Sequence, residues 1–541
     1  MQLRSIVVVV VAALPAAANP FGLRLTEAAD PTTTIGIGWN SDDALDVEVH
    51  YGTAPAALDL RATATVVPMP APLGTGFSIV LTGLSPATTY HYRVGRAGRL
   101  QPAEALPPAS FTTIDDDPCA EQRFVVSGDN RADTDSGSPG TSDLWAPILS
   151  ESLANAPHFF VNTGDMVKNG DVPEEWNNLL LASEPVWSLV ASIPTVGNHD
   201  TGDPDGDGAI YNRLFTLPSN PRTATEDFYS IDIGTIHFVS LNSQHTSSTE
   251  LPEMAGWLDE DLAANTLPWK IVFFHKAIYS RGNHSSGEED GGALNSTLVP
   301  IFDAHGVDLV LNGHSHDYER YVPSRGFDEA FGGTGRNLVL GDKDAVGALA
   351  QLPDGSVGTT YVVTGGGGAR TTDIPGRDDL NCIDVACTFC TGFNIGGCDR
   401  DVLSADRDAN LVYDGSHHFV SISVHGNTLR AVVDTTVAGN GNDTPERIDA
   451  FTIVKPGVDV CLLGEGEGEG EGEGEGEGEP GEGEGEGEGE PAEGEGEGDV
   501  VGEGEGEGEA PNPPGGCTCA SVDGGGFLVA LSLLALRRRR R

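Results

Sequence analysis

Gly313-His314-Ser315-His316-Asp317-Tyr318-Glu319-Arg320 is the stretch on which the reading of this 541-residue chain turns. It follows Val307-Asp308-Leu309-Val310-Leu311, an apolar run that reads as a buried strand. A glycine at the strand end, then two histidines flanking one residue, places two imidazoles beyond the carboxyl end of a sheet strand. Open α/β sheets carry their chemistry there. With 72 glycines and 14 histidines in the chain, a Gly-His-x-His element is expected roughly 0.05 times by chance, so it informs where a lone histidine does not.

Four earlier turns have the same placement. Gly128-Asp129 follows the apolar run 123–127, Gly164-Asp165 follows 158–162, Gly197-Asn198-His199-Asp200 comes next, and His275 closes the run 271–274. A Gly-Asp pair alone is weak. In order, on strand ends, the five turns gather carboxylates, an amide oxygen and imidazoles. Two hard cations a few ångströms apart need such donors plus one shared bridge, and Asp165 is assigned as that bridging carboxylate.

Helix-length segments separate these strands through residues 116–461, an α/β pattern. Later runs at 361–364, 419–424 and 429–433 are predicted to form the second sheet of a layered sandwich. Residues 20–115 read differently, as short strands near 32–39, 47–51 and 77–81 separated by turns, and this predicts an all-β sandwich. Within it Leu84-Ser85-Pro86-Ala87-Thr88-Thr89-Tyr90 resembles the tyrosine corner of fibronectin type III-like sandwiches. No catalytic cluster falls in this part.

Taken together, the five turns resemble the calcineurin-like metallophosphoesterase signature. Residues 313–320, with His275 and the pair Asn283-His284, resemble its purple acid phosphatase branch, which also carries a fibronectin-like domain in front. The resemblance covers residues 20–455. It implies an N-terminal all-β sandwich followed by a four-layer αββα metallophosphoesterase domain. It further implies two transition metal ions, iron with zinc, manganese or a second iron. Asp129, Asp165 and His316 would hold one ion, and Asp165, Asn198, His275 and His314 the other. A hydroxide between the metals would attack phosphorus in line, while His199 and His284 stabilise the transition state and protonate the leaving alkoxide. The implied substrate class is a phosphate ester, and the simplest implied activity is that of an exported phosphomonoesterase. A phosphodiesterase of the same fold is one rival. A surface-display protein with a degenerate phosphatase domain is another, and the complete Asp/Asp/Asn/His/His/His set argues against it.

Two positions depart from the pattern. The branch places a tyrosine three residues after the bridging aspartate, where this chain has Lys168; without a phenolate no charge-transfer colour is expected. Many other metallophosphoesterases place a histidine two residues after the first aspartate, where this chain has Arg131. Sequence leaves both side chains facing either the phosphate or solvent. His305, His417 and His418 lack motif support and are read as structural. Glu319 and Arg320 are read as bracing the histidine loop.

Charge limits the partners. Thirty Lys and Arg stand against 82 Asp and Glu, a net of −52, and such a field repels nucleic-acid phosphates. Much of it is local: residues 464–510 hold 20 Glu and one Asp with no base. This Gly-Glu run cannot build a core and repels itself, so it reads as a disordered acidic stalk. At the start, Arg4, the apolar run 6–14 and Ala16-Ala17-Ala18 make residues 1–18 a secretory signal.

Export turns the eight cysteines toward disulfides. Cys119 and Cys461 flank the α/β region, where a bridge would tie its ends together. Cys382, Cys387, Cys390 and Cys398 read as two disulfides in preference to a zinc site. Asp203-Pro204-Asp205-Gly206-Asp207-Gly208 begins like a calcium loop, but position twelve is Leu214, so a solvated acidic loop is preferred to calcium. Residues 517–541 hold Cys517 and Cys519, an apolar stretch at 527–536 and five arginines. Ten residues span about 15 Å as a helix, half a bilayer core. That order resembles bacterial C-terminal sorting tags of the Myxo-CTERM type. It implies transient membrane contact, processing near the cysteines, and a mature protein that is extracellular or held at the cell surface. Oligomeric state is not legible.

Overall fold

The computed structural model describes residues 20–132, 140–202, 208–223, 225–280, 282, 284, 292–326, 339–340, 352, 356–371, 410–437, 444–457 and 461. The expected signal (1–18), stalk (464–510), sorting segment (517–541), Cys382–Cys398 cluster and acidic residues 203–207 lie outside them. Among the described residues no helix is long and apolar enough to cross a membrane.

Two large sheets carry the architecture. The first has ten strands in the order Arg447–Val454, Thr428–Thr435, His418–His425, Gln122–Ser127, Phe159–Asn162, Ala191–Pro194, Phe21–Thr26, Ile35–Ser41, Thr75–Leu81, Thr65–Pro68. The second has seven: Tyr229–Ile233, Ile236–Ser240, Trp269–Phe274, Leu309–Asn312, Thr360–Thr364, Tyr318–Tyr321, Asn410–Asp414. The strands that lead to the motif turns are mutually parallel within each sheet. They are buried on both faces, which is why they read as continuous apolar runs.

Alternation along those runs sorts side chains between layers. Phe238, Ile271, Phe273, Leu309 and Leu311 point into the interface between the sheets, where Phe238 meets Phe124 and Phe159 edge-on at 5.2 and 5.4 Å. Their neighbours Val239, Val272, Phe274 and Val310 face the opposite way, against helices Glu250–Ala264 and Ala293–His305. On the outer face of the first sheet lies helix Pro173–Trp187. Pro173 suits a first turn that needs no N–H donor, and Glu174 and Glu175 favour the positive helix end. It buries Trp176, Leu179, Leu180, Ser183, Val186 and Trp187, one apolar face with helical spacing. The result is a helix–sheet–sheet–helix stack. Truncating Phe124 or Phe238 to alanine would cost about 3–5 kcal/mol.

Residues 20–113 form a β-sandwich, with the sheet Leu60–Thr63, Glu48–Gly52, Thr89–Val94, Ala109–Thr112 packed on the N-terminal strands of the large sheet. Trp39 stacks on Phe77 at 5.2 Å in its core. The Tyr90 hydroxyl accepts a hydrogen bond from Ser85 N at 3.0 Å, tying the strand start to upstream backbone.

Two features were not legible. The runs at 419–424 and 429–433 do not join the sheet of 361–364; they extend the first sheet beside Gln122–Ser127, whereas Thr360–Thr364 lies in the second. Apolar patterning reports burial, and both sheets are equally buried. The sandwich is also continuous with the α/β region, because Phe21–Thr26 pairs parallel to Ala191–Pro194 through Thr26 and Ser192. Buried Arg24 crosses the same seam to Leu214 O at 2.6 Å, and Tyr92 OH donates to Ser188 O at 2.8 Å. Cys119 and Cys461 are disulfide-bonded, closing the ends of the α/β region over a separation of 342 residues.

Candidate metal centre

The motif turns converge because their strands end on one side of the two sheets. Asp129, Asp165 and His314 sit there with φ of 56°, 53° and 72°, the left-handed region that non-glycine residues seldom enter. Strain of this kind persists where surrounding structure over-determines it, and it clusters at functional sites. The flanking glycines are fixed by space. A Cβ on Gly197 would lie 2.2 Å from Asp165 Oδ1, and one on Gly313 would lie 2.4 Å from Asp129 Oδ2.

Four lone-pair atoms meet at the centre. His275 donates its Nδ1 proton to Thr163 O at 2.9 Å, which leaves Nε2 facing inward. That nitrogen lies 3.0 Å from Asn198 Oδ1, 3.2 Å from Asp165 Oδ1 and 3.1 Å from His314 Nδ1. The Asp165, His275 and His314 ligand atoms all fall within 4.8 Å of one another, and all three residues are buried. Two carboxylates in so dry a site are costly without a counter-cation. Burial pushes the Asp129 carboxyl up, with Asp165 adding to the effect. Burial would raise Asp165 as well, yet its contacts with His275, His199 and Arg131 hold it well below the usual carboxylate range. Burial alone would lower His275, but the Asp165 and Asp129 charges push it up to about 9. The donor set therefore retains a proton where it lacks a cation, and it fits a transition metal ion.

Asp129 and His316 lie on the far side of Asp165. Both Asp129 oxygens accept from His314 N, at 3.1 and 3.0 Å, and Oδ1 is 3.7 Å from His316 Nε2. His316 donates Nδ1–H to Arg370 O at 2.9 Å. His199 and His284 flank the cluster. His199 N donates to Asp165 Oδ1 at 2.9 Å, while its ring Nδ1 donates to Lys168 O at 2.7 Å and leaves Nε2 3.9 Å from Asp165 Oδ2. His284 stacks on His314, with ring centroids 4.0 Å apart. The seven residues singled out in the motif turns, together with His284, are thus brought to one place.

Arg131 faces neither bulk solvent nor open space. Its Nε donates to Asp165 Oδ2 at 3.3 Å and its NH2 group to His316 Nε2 at 3.3 Å. Glu319 accepts from Ser280 Oγ at 2.8 Å and Gly282 N at 3.0 Å, so it holds the loop that carries His284. Arg320 pairs instead with Asp449, at 2.6 Å. His305 binds Asp259 at 2.7 Å, and buried His418 lies between Thr364 Oγ1 and Ser416 O, both away from the cluster.

Two contributors escaped sequence reasoning. Asp200 is fully buried and accepts Met166 N at 2.8 Å, Val167 N at 3.2 Å and Gly197 N at 2.9 Å, which locks the Asp165 and Asn198 loops together. The loop Gly365-Gly366-Gly367-Gly368 packs under Asp129: Gly367 N donates to Gly128 O at 2.9 Å and Ala369 N to Asp129 O at 2.8 Å. It follows an apolar strand as the other turns do, but it carries no donor side chain to draw attention.

Residues 123–318 match the calcineurin-like phosphoesterase family. Residues 20–113 match the purple acid phosphatase N-terminal domain, so the chain carries both domains. An uncharacterized protein of Mycobacterium tuberculosis is 28% identical over 324 residues, 53% of this chain and 57% of that protein, so the match spans little more than half of its length. Probable purple acid phosphatase 20 of Arabidopsis thaliana is 24% identical over 328 residues, 58% of this chain and 72% of that protein. In fold, the chain resembles the purple acid phosphatase PPD1 from yellow lupin (Lupinus luteus) seeds. The TM-score is 0.60 at 19% identity, covering 82% of this chain and 76% of that one.

Proposed function

We propose that this chain is a metal-dependent phosphoric ester hydrolase, most simply an acid phosphatase-like phosphomonoesterase. The convergence of Asp165 Oδ1, Asn198 Oδ1, His275 Nε2 and His314 Nδ1 in a buried pocket carries the reading. A transition metal ion held by these four residues would supply Lewis-acid charge neutralisation and an activated water for in-line attack. The protein's own groups do the rest. Asn198 contributes a neutral oxygen, which limits the negative charge met by an anionic substrate. Lys168 O accepts the His199 Nδ1 proton, which leaves Nε2 as the ring nitrogen on the Asp165 side, where it can exchange a proton with a phosphoryl or leaving oxygen. His284, stacked on His314, borders the same space.

The test is a panel of phosphomonoesters and phosphodiesters assayed with metal analysis of the same sample. Turnover is expected to fall on chelation and return with added metal, and monoesters are expected to exceed diesters. Full turnover from a sample free of metal would refute the reading.

We also propose that the protein is exported and held at the cell surface by its C-terminal segment after processing near Cys517 and Cys519. The secretory pattern of residues 1–18 supports this, as does the Cys119–Cys461 bridge, a bond that persists in oxidising compartments. Intact-mass analysis of surface-extracted protein checks it; a chain retaining all five terminal arginines would refute the processing.

A further inference from the structure

The two halves of the centre are not alike. Asp165 Oδ1 lies 3.2 Å from His275 Nε2, the atom that also meets Asn198 Oδ1 and His314 Nδ1, whereas Asp165 Oδ2 takes the Nε proton of Arg131 at 3.3 Å. The same guanidinium donates to His316 Nε2 at 3.3 Å, the lone pair left open when His316 gives Nδ1–H to Arg370 O. Asp165 Oδ2 and His316 Nε2 are the atoms that a second ion would need, and both already have a cationic donor. Arg131 is also anchored through its backbone. Its N donates to Asp165 O at 3.1 Å, it forms a β-bridge with Thr141, and its side chain is only 12% exposed. The guanidinium carries a positive charge, which repels a divalent cation placed among the same donors.

We infer that the centre takes one transition metal ion, held by Asp165, Asn198, His275 and His314, and that the Arg131 guanidinium supplies the positive charge a second ion would bring between Asp165 and His316. The inference rests on the proposed metal-dependent hydrolase and departs from the two ions that the sequence resemblance implies. Asp129 is then a positioning residue, fixing the His314 backbone through its carboxylate. The planar fork of Arg131 borders the metal set from the Asp165 side, where it is suited to pair with two oxygens of a phosphoryl group.

Metal stoichiometry tests this independently of turnover. The full chain is stripped by chelation, dialysed against micromolar Mn2+, which thiolates bind poorly, and analysed for bound metal and by electron paramagnetic resonance. Wild type is expected to hold one tight, magnetically isolated Mn2+ per chain. Arg131→His, which restores an imidazole and removes the cation, is expected to hold two that are exchange-coupled, while Arg131→Lys stays at one. Near-equal melting temperatures show that the variants are folded. A coupled pair in wild type overturns the inference, and so does a single ion in both wild type and Arg131→His. No tight ion in any of the three overturns the hydrolase reading beneath it, and that outcome is distinct from the other two.

Discussion

Replacing Asp200 by asparagine changes no shape and touches no donor atom of the metal set, yet it should weaken metal binding by one to three orders of magnitude. Asp200 Oδ1 accepts Met166 N and Val167 N, and Oδ2 accepts Gly197 N, all within 3.2 Å. An amide has one acceptor oxygen, so whichever way the substituted side chain turns, its NH2 group meets a backbone N–H. Turned to keep the pair on the Asp165 side, it loses the Gly197 bond. That loss costs about 1.5–3 kcal/mol for a charged acceptor and about 1–3 kcal/mol for the buried donor left unpaired. Part is returned, because burial pushes the Asp200 carboxyl up and the neutral amide avoids that desolvation. A net of about 2–4 kcal/mol remains. At about 1.4 kcal/mol per decade it corresponds to the stated loss, if it falls on the loop geometry that the loaded centre requires. Competition for metal against a chromophoric chelator measures the dissociation constant, and urea unfolding of the metal-free chain measures general stability. Turnover at limiting metal should fall and be largely rescued by saturating metal, which a merely unstable protein would not show. A metal dissociation constant within twofold of wild type would refute the role assigned to Asp200.

Three further outcomes are expected. Replacing Cys119 and Cys461 together by serine opens a loop of 342 residues; chain entropy puts the loss at about 6 kcal/mol, read as a lower urea midpoint under non-reducing conditions, and an unchanged midpoint would count against the bridge. Burial alone would lower His237, but its hydrogen bonds to Asp232 at 2.6 Å and Asp261 at 2.9 Å outweigh this and raise its pKa. The stability it adds is therefore fully present below about pH 6.5, its unfolded pKa, and is lost as pH rises through the folded value. The gap between wild type and His237→Gln should narrow from pH 6 to pH 9, and a widening gap would show the sign to be wrong. Because Lys168 stands three residues after Asp165 and that loop holds no tyrosine, the iron-loaded protein should show no phenolate-to-iron band in visible absorption; a strong band would mean that a tyrosine from elsewhere in the chain reaches the metal.

What sequence disclosed was what side-chain chemistry makes visible. The strand-terminal pattern Gly-Asp, Gly-Asp, Gly-Asn-His, His, Gly-His-x-His named seven of the eight residues that meet at the centre, since each carries a donor at the end of an apolar run; the eighth, His284, came from the family resemblance. Two things stayed hidden because they live in the backbone or in through-space charge. Gly365-Gly366-Gly367-Gly368 acts through its main chain, holding Gly128 and Asp129 without a donor side chain. Arg131 was evident as a departure, but which way its guanidinium points depends on the register between the Asp129 and Asp165 loops, set by the parallel pairing of Phe159–Asn162 with Gln122–Ser127. Strand assignment to one sheet or the other was equally out of reach, because the buried strands of both sheets read alike.

The same pairing explains why an all-β sandwich travels with a centre to which it gives no ligand. Ala191–Pro194 leads into the loop of Asn198 and is flanked on one side by Phe159–Asn162, four residues in register. Its other flank is Phe21–Thr26 of the sandwich. Without the sandwich, the strand before Asn198 would be a short edge strand, and edges fray and re-pair. The seam is reinforced where it passes nearest that strand. Glu184 accepts Gly22 N at 2.8 Å and Gln101 Nε2 at 2.7 Å, and Thr26 Oγ1 and Ser78 Oγ reach Thr216. Buried Arg24, its guanidinium pushed down to about 9 by burial against the pull of Glu184, spends its donors on Leu214 O, Gly22 O and Asn40 Oδ1. A loosely tethered module would not bury an arginine in its contact with the next domain. The sandwich is part of the scaffold that holds Asn198 within 3.0 Å of His275 Nε2, and its contribution to metal binding is rigidity rather than contact.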